Sequence, residues 1–189
     1  MPRPPRPPIA GGTFHVTARG NNDDFVFLDD YDRYAYLGLL AKIKREMLLT
    51  LFAYALMSTH LHIVFQTPDG NLSAAIHRLH GNYAKAFNRR YGRRGHLFEN
   101  RFRSKTIEDD IHLLESTRYV HLNPVRAGMV PAPQDYPWTS YRYYVEPKSD
   151  RSLIDTDPVL ALFSNDNLAS RRAYARFVDD GIRADRLVR

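Results

Sequence analysis

Leu49-Thr50-Leu51-Phe52-Ala53-Tyr54-Ala55-Leu56-Met57-Ser58-Thr59-His60-Leu61-His62-Ile63-Val64-Phe65-Gln66-Thr67 is two apolar runs joined by two small polar residues. Leu49 to Met57 is predicted as one strand and His60 to Thr67 as the next, paired as an antiparallel hairpin. Alternation in the second run puts Leu61, Ile63 and Phe65 on one face and His60, His62, Val64 and Gln66 on the other. Two imidazoles two residues apart on a strand point the same way and can grip one cation. Strand histidines are also commonly satisfied by hydrogen bonds alone, and the spacing leaves both readings open.

Outward from the hairpin, Thr13 to Thr17 alternates as a first strand, and Gly20 to Asp24 marks a loop. Asp29-Asp30 precedes a helix from Tyr31 to Glu46, with acids near its start and Lys42, Lys44 and Arg45 near its end. Leu72, Ala75, Ile76, Leu79, Tyr83, Ala86 and Phe87 predict an amphipathic helix over 71–90. Arg101 to Thr106 alternates as a fourth strand, with Arg101, Arg103 and Lys105 on one side. Glu108-Asp109-Asp110 caps a helix running to about Asn123, where Pro124 is expected to stop it. The order β-α-β-β-α-β-α predicts an α+β fold of the ferredoxin-like split β-α-β type: an antiparallel sheet with helices on one face, plus a C-terminal helical extension.

Three regions follow. Residues 1–8 read as a disordered Pro/Arg arm, 9–130 as the main domain, and 131–189 as an aromatic wrap-around segment ending in a helix from Leu168 to Val178. The aromatics Tyr136, Trp138, Tyr141, Tyr143 and Tyr144 suit packing across the domain better than stacking on bases.

With 189 residues and no cysteine, the chain excludes disulfides, thiolate zinc sites and a cysteine nucleophile. No run approaches the roughly 20 apolar residues that cross a bilayer, so no membrane partner and a cytoplasmic location are expected. The net charge of +6 is concentrated: between Gly70 and Lys105 nine basic residues (Arg78, Lys85, Arg89, Arg90, Arg93, Arg94, Arg101, Arg103, Lys105) face one acid, Glu99. A local excess of this kind points to a polyanion partner, against the alternative of a solvated basic face.

In the helix after Asp110, His112, Glu115, Ser116, Tyr119 and Asn123 recur at three- and four-residue intervals along one side. A tyrosine four residues before an asparagine places a nucleophilic hydroxyl and an oxygen ligand close together. A packing tyrosine would show the same spacing.

Met57 to Phe65 with its His-Leu-His core, followed by Tyr119-Val120-His121-Leu122-Asn123-Pro124-Val125-Arg126-Ala127-Gly128, resembles the single-tyrosine HUH transposases. Within these the chain is most similar to the REP-associated tyrosine transposases, relatives of the IS200/IS605 insertion-sequence enzymes. Gly12 to Asn21, Gly95 to Phe102 and Tyr136 to Tyr141 add further matching blocks, and the likeness spans about residues 9–145.

The resemblance implies that 9–130 is the catalytic domain. It implies that His60 and His62 bind a divalent metal, Mg²⁺ or Mn²⁺, with Asn123 as third ligand where the insertion-sequence branch has glutamine, and Glu115 as the fallback oxygen donor. It further implies that Tyr119 attacks single-stranded DNA beside a REP-like palindromic hairpin, leaving a 5′-phosphotyrosine link. The nine basic residues would hold the DNA backbone. A nucleoid-associated protein acting as monomer or homodimer is expected on the same ground. Two alternatives stay open at this level: a domesticated, non-catalytic hairpin-binding protein, and a metal-dependent nuclease that uses water.

Overall fold

Thr50–Leu56 (β2) and His60–Gln66 (β3) form the expected hairpin, with Tyr54 opposite Ile63, Ala55 opposite His62 and Leu56 opposite Leu61. The computed structural model describes residues 8–146 and 153–187, so the expectation for the Pro/Arg arm falls almost wholly outside the described residues. Thr13–Arg19 (β1) pairs antiparallel with β3 on one side and with Arg103–Ile107 (β4) on the other, giving the strand order β2-β3-β1-β4. That order is the split β-α-β arrangement, in which each helical crossover returns the chain to a non-adjacent position in the sheet.

Two crossover helices make the first layer. Helix α1 (Asp30–Glu46) starts where the Asp29 carboxylate accepts the Asp32 backbone N–H at 3.0 Å, and acids and bases sit at its start and end as the helix dipole favours. Helix α2 (Leu72–Tyr91) ends at Gly92, whose φ of 62° is the left-handed conformation that closes a helix at little cost for glycine. Tyr36, Leu40 and Ile43 of α1 meet Ile76, Leu79, Tyr83 and Phe87 of α2 in one buried cluster. Phe14, Val16, Ala18, Leu61, Ile63 and Phe65 complete that core from the sheet.

Helix α3 (Asp110–Arg126) follows the last strand and takes the opposite face, packing on β2 and β3. There β2 presents Ala53 and Ala55, small residues that let a helix approach the sheet closely. His62 and Val64 are therefore buried, like the apolar face behind them. Pro124 does not stop α3, contrary to the sequence expectation. It lies in the last turn, where one lost backbone donor is tolerated, and the Ala127, Gly128 and Met129 N–H groups close the end on the carbonyls of Asn123, Val125 and Pro124. Asn123 is thus within the helix. A second correction concerns β4, which begins at Arg103, so Arg101 belongs to the preceding loop and only Arg103 and Lys105 share a strand face.

The aromatic segment runs along the sheet edge, and its hydroxyls explain why. The outer edge of β2 would otherwise leave backbone groups unpaired. Leu56 N–H donates to Trp138 O at 2.9 Å and Ser140 N–H to Tyr54 O at 3.0 Å, while the Tyr136 and Tyr144 hydroxyls donate to the carbonyls of Leu56 and Phe52, each at 2.8 Å. Short helices α4 (Tyr141–Val145) and α5 (Asp157–Leu160) lead to α6 (Asn167–Leu187), longer at its C-terminal end than the periodicity indicated. Buried Arg171 of α6 donates to the carbonyls of Tyr143 and Tyr144 at 2.8 Å, tying α6 to the end of α4.

His121 joins these layers. Fully buried on α3, it contacts Ser140 Oγ through Nε2 and the Tyr174 hydroxyl through Nδ1, both at 2.7 Å, and Ser140 Oγ also accepts the Tyr54 backbone N–H. Burial pushes its pKa down from 6.5 to about 3. Between those values the unfolded chain binds the extra proton and the native state does not, so stability falls as pH drops below about 6.5. The expected contribution is about 2 kcal/mol lost between pH 7 and pH 5. Urea denaturation at the two pH values should show a larger drop in the wild type, to which the other buried histidines also contribute, and a drop about 2 kcal/mol smaller in His121→Gln.

Candidate active site

The sheet face under α3 carries Arg19, Thr17 and His15 of β1, His60 and His62 of β3, and Arg103 and Lys105 of β4, because the register sets Thr17 opposite both His62 and Arg103. From α3, His112, Glu115, Tyr119 and Asn123 face the same cleft of about 740 Å³, with Arg118 and Arg126 on its rim. Tyr119 is half-exposed at 42 % while its helical neighbour Val120 is fully buried, so the ring projects into the cleft from a helix anchored by its other side. The Tyr119 ring lies 5.6 Å from His62 and 5.7 Å from His15, and the two histidines of the His-Leu-His motif lie 5.3 Å apart, all measured between centroids.

Each motif histidine is oriented through Nδ1. His60 Nδ1 is 3.2 Å from Thr59 Oγ1, and His62 Nδ1 is 2.9 Å from His15 Nε2 and 3.2 Å from Thr17 Oγ1. That leaves Nε2 of both rings as the nitrogen open to a cation, the arrangement in which outer hydrogen bonds fix ligand tautomers. The His62 pKa is held down at about 3 by burial, then by His15, His60 and Arg19. That of His15 is held at about 4 by burial, Lys105 and His112, and burial also lowers that of His60. All three are neutral imidazoles at neutral pH, the form that ligates metal.

Asn123 donates through Nδ2 to the Tyr119 carbonyl at 3.1 Å, which leaves its Oδ1 as an oxygen donor facing the cleft. Glu115 is ion-paired with Arg118 of the next helical turn, and Arg118 in turn lies over the Phe177 ring at 4.2 Å. Its carboxylate is already committed, which weakens its standing as fallback ligand. Among the described residues no three His, Cys, Asp or Glu side chains converge on one point. A metal held here would take two imidazole nitrogens and complete its shell with amide, water or phosphate oxygens, a donor set that suits Mn²⁺ and also admits Mg²⁺.

The nine basic residues do not form one patch. Arg103 and Lys105 line the cleft. Arg78 pairs with Glu46, Arg90 with Asp29 and Asp32, and Arg93 with Asp24, so acids from α1 and the loop before it neutralise three of them. Arg90 holds the Asp29 carboxyl down at about 2. Lys85 and Arg101 line a separate groove beside α2, while Arg89 and Arg94 are exposed away from the cleft. Sequence reasoning passed over His15, Thr17, Arg19 and Arg126 as site residues. The first three were legible as one face of the alternating first strand. Arg126, whose guanidinium lies 5.2 Å from the Tyr119 ring centroid, required the helix to continue past Pro124.

Residues 10–123 match the family of IS200-like transposases. The chain belongs to that family. A Haemophilus influenzae protein described as a REP-associated tyrosine transposase is 27 % identical over 100 residues, 47 % of this chain and 57 % of that relative. The chain therefore aligns with little more than half of the relative's length. The solved structure of a REP-associated tyrosine transposase bound to a REP hairpin superposes with a TM-score of 0.66 at 20 % identity, over 83 % of this chain and 93 % of that one. The ferredoxin-like sheet and its C-terminal helices are therefore a fold this family member shares with a REP-associated transposase.

Among the described residues the Tyr119 hydroxyl has no hydrogen-bond partner, so its removal takes nothing from the fold. Tyr119→Phe is expected to unfold within about 0.5 kcal/mol of the wild type in urea.

Proposed function

We propose that this protein nicks and rejoins single-stranded DNA beside a hairpin, through a covalent link between Tyr119 and a 5′-phosphate. The observation that carries the reading is the placement of a half-exposed tyrosine from α3 across a cleft from two neutral, pre-oriented histidines of β3. The cleft is rimmed by Arg19, Arg103, Lys105 and Arg126, which suit a phosphodiester. The relative solved with a REP hairpin supports a palindromic DNA stem-loop as substrate.

In this scheme Tyr119 Oη forms a bond to phosphorus as the bond from phosphorus to the 3′-oxygen breaks. The phenolic proton passes to solvent and the departing 3′-oxygen takes one up. One phosphodiester replaces another, so a free 3′-hydroxyl can reverse the step and join strands. His60 and His62 would hold a divalent cation through Nε2, with Asn123 Oδ1 beside them; when bound, that cation supplies Lewis-acid stabilisation of the phosphate. Arg126 and Lys105 orient and neutralise the non-bridging oxygens. With His62 in its Nδ1–H tautomer, His15 Nε2 accepts a hydrogen bond from that N–H, and Nε2 of His62 stays unprotonated toward the cleft.

A labelled DNA stem-loop with single-stranded flanks, incubated with Mn²⁺, should give a protein–DNA adduct that survives denaturing gel electrophoresis. Tyr119→Phe should give none, and His60→Ala should lower the adduct yield about 100-fold. Cleavage persisting in Tyr119→Phe would identify a water-using nuclease, and binding without cleavage a non-catalytic hairpin binder. His15→Phe is expected to weaken Mn²⁺ binding about 10-fold, read by electron paramagnetic resonance of the free ion without DNA.

A further inference from the structure

His60 and His62 are held in different ways. Across the sheet His62 meets His15 and Thr17 of β1, whereas His60 opens β3 and takes its side-chain contact from Thr59 of the turn before it. Whatever fixes the Ser58–Thr59 turn therefore fixes His60. The carbonyls of that turn are tied by the segment after β1. Ser58 O accepts the Val26 N–H at 2.8 Å and the Phe27 N–H at 3.2 Å, and Thr59 O accepts the Gly20 N–H at 2.8 Å. Glycine is required at position 20, where a Cβ would meet Asp24 O at 2.0 Å.

The Ser58 hydroxyl is met from α1 by Arg33, whose Nη2 donates to Oγ at 3.4 Å. Arg33 is buried, with its guanidinium 5.4 Å from the Trp138 ring centroid and 5.8 Å from that of Phe27. Tyr34 packs edge-on against Trp138 at 4.9 Å. Trp138 belongs to the aromatic segment, which thereby reaches the turn as well as the outer edge of β2. For a buried cation Arg33 is poorly satisfied. Its bond to Asp30 is 3.5 Å long, and its Nε is buried with no hydrogen-bond partner among the described residues. An apolar side chain of similar length would fill this space without that desolvation cost. What arginine adds is a planar donor that rings can hold in place and aim at the turn.

We propose that Arg33, packed against Phe27 and Trp138, is a positioning residue for His60. It holds the Ser58–Thr59 turn so that Thr59 Oγ1 meets His60 Nδ1 and Nε2 is left toward the cleft. The inference rests on the reading of His60 as a metal ligand given above. Arg33 touches neither DNA nor cation, and its effect passes through the turn.

The test uses the full chain and two readouts: Mn²⁺ binding followed by electron paramagnetic resonance without DNA, and the His60 tautomer followed by long-range proton–nitrogen NMR of the metal-free protein. Arg33→Met keeps the length of the side chain and removes its charge and donors. It should weaken Mn²⁺ binding about 10-fold and move the His60 proton from Nδ1 to Nε2. Arg33→Lys should recover part of both. Ser58→Ala should reproduce the change, add nothing when combined with Arg33→Met, and decide the question if Arg33→Met does not fold. Tyr144→Phe removes a buried bond to Phe52 O at the outer edge of β2, and should leave both readouts at their wild-type values. Unchanged Mn²⁺ affinity and tautomer in Arg33→Met and Ser58→Ala, or an equal change in Tyr144→Phe, overturns the positioning role while leaving the ligand reading standing. Wild-type protein that binds Mn²⁺ no better than His60→Ala overturns the ligand reading and the positioning role with it.

Discussion

The hydrogen-bonded chain from the Tyr54 backbone through Ser140 to His121 and on to Tyr174 fixes where α3 sits, and with it the geometry of the cleft. A buried imidazole with both nitrogens satisfied cannot rotate out or slide along the helix axis without stranding two polar partners, each a loss of about 1–3 kcal/mol. His121 is two residues from Tyr119, so the same constraint that turns one side chain into the core turns the other outward, over the histidines of β3. Ala53 and Ala55 make the approach possible by leaving room for a helix above β2. The wrap-around segment therefore does more than cover a sheet edge. By delivering Ser140 it completes the lock on the helix that carries the proposed nucleophile.

The cleft is an electrostatic arrangement of neutral imidazoles inside a ring of cations. Burial is the first cause that keeps His15, His60 and His62 uncharged, and Lys105, His112 and Arg19 reinforce it. The same cations favour a phosphate. Charge that is plentiful in the sequence is partly neutralised elsewhere: Arg78, Arg90 and Arg93 hold α2 and its following loop to acids of α1 and the loop before it. They are tertiary braces, whereas Arg19, Arg103 and Lys105 line the cleft itself.

Much of this was legible in the sequence because the physical signals are local. Alternation over residues 60–66 and 13–17 declared strands and their faces, the aspartates at 29 and 109 declared helix starts that the structure realises as side-chain caps, and the His-Leu-His motif, Tyr119 and Asn123 turn out to line one cleft. The errors came from reading local rules where the context was not local. Pro124 was expected to end α3, yet a proline in a final turn removes only one donor and the following glycine turn closes the helix. Arg101 was assigned to a strand that starts two residues later.

Composition and periodicity determined that this chain builds a split β-α-β sheet, that His60 and His62 share a face, and that Tyr119 and Asn123 share another. Such facts depend on residues close in sequence. Only the tertiary structure decided that the two faces meet, that His15 and Thr17 set the orientation of His62, and that three of nine basic residues are neutralised. Each of those depends on residues roughly 20 to more than 100 positions apart, brought together by strand register and by burial of a common core, which no local pattern encodes.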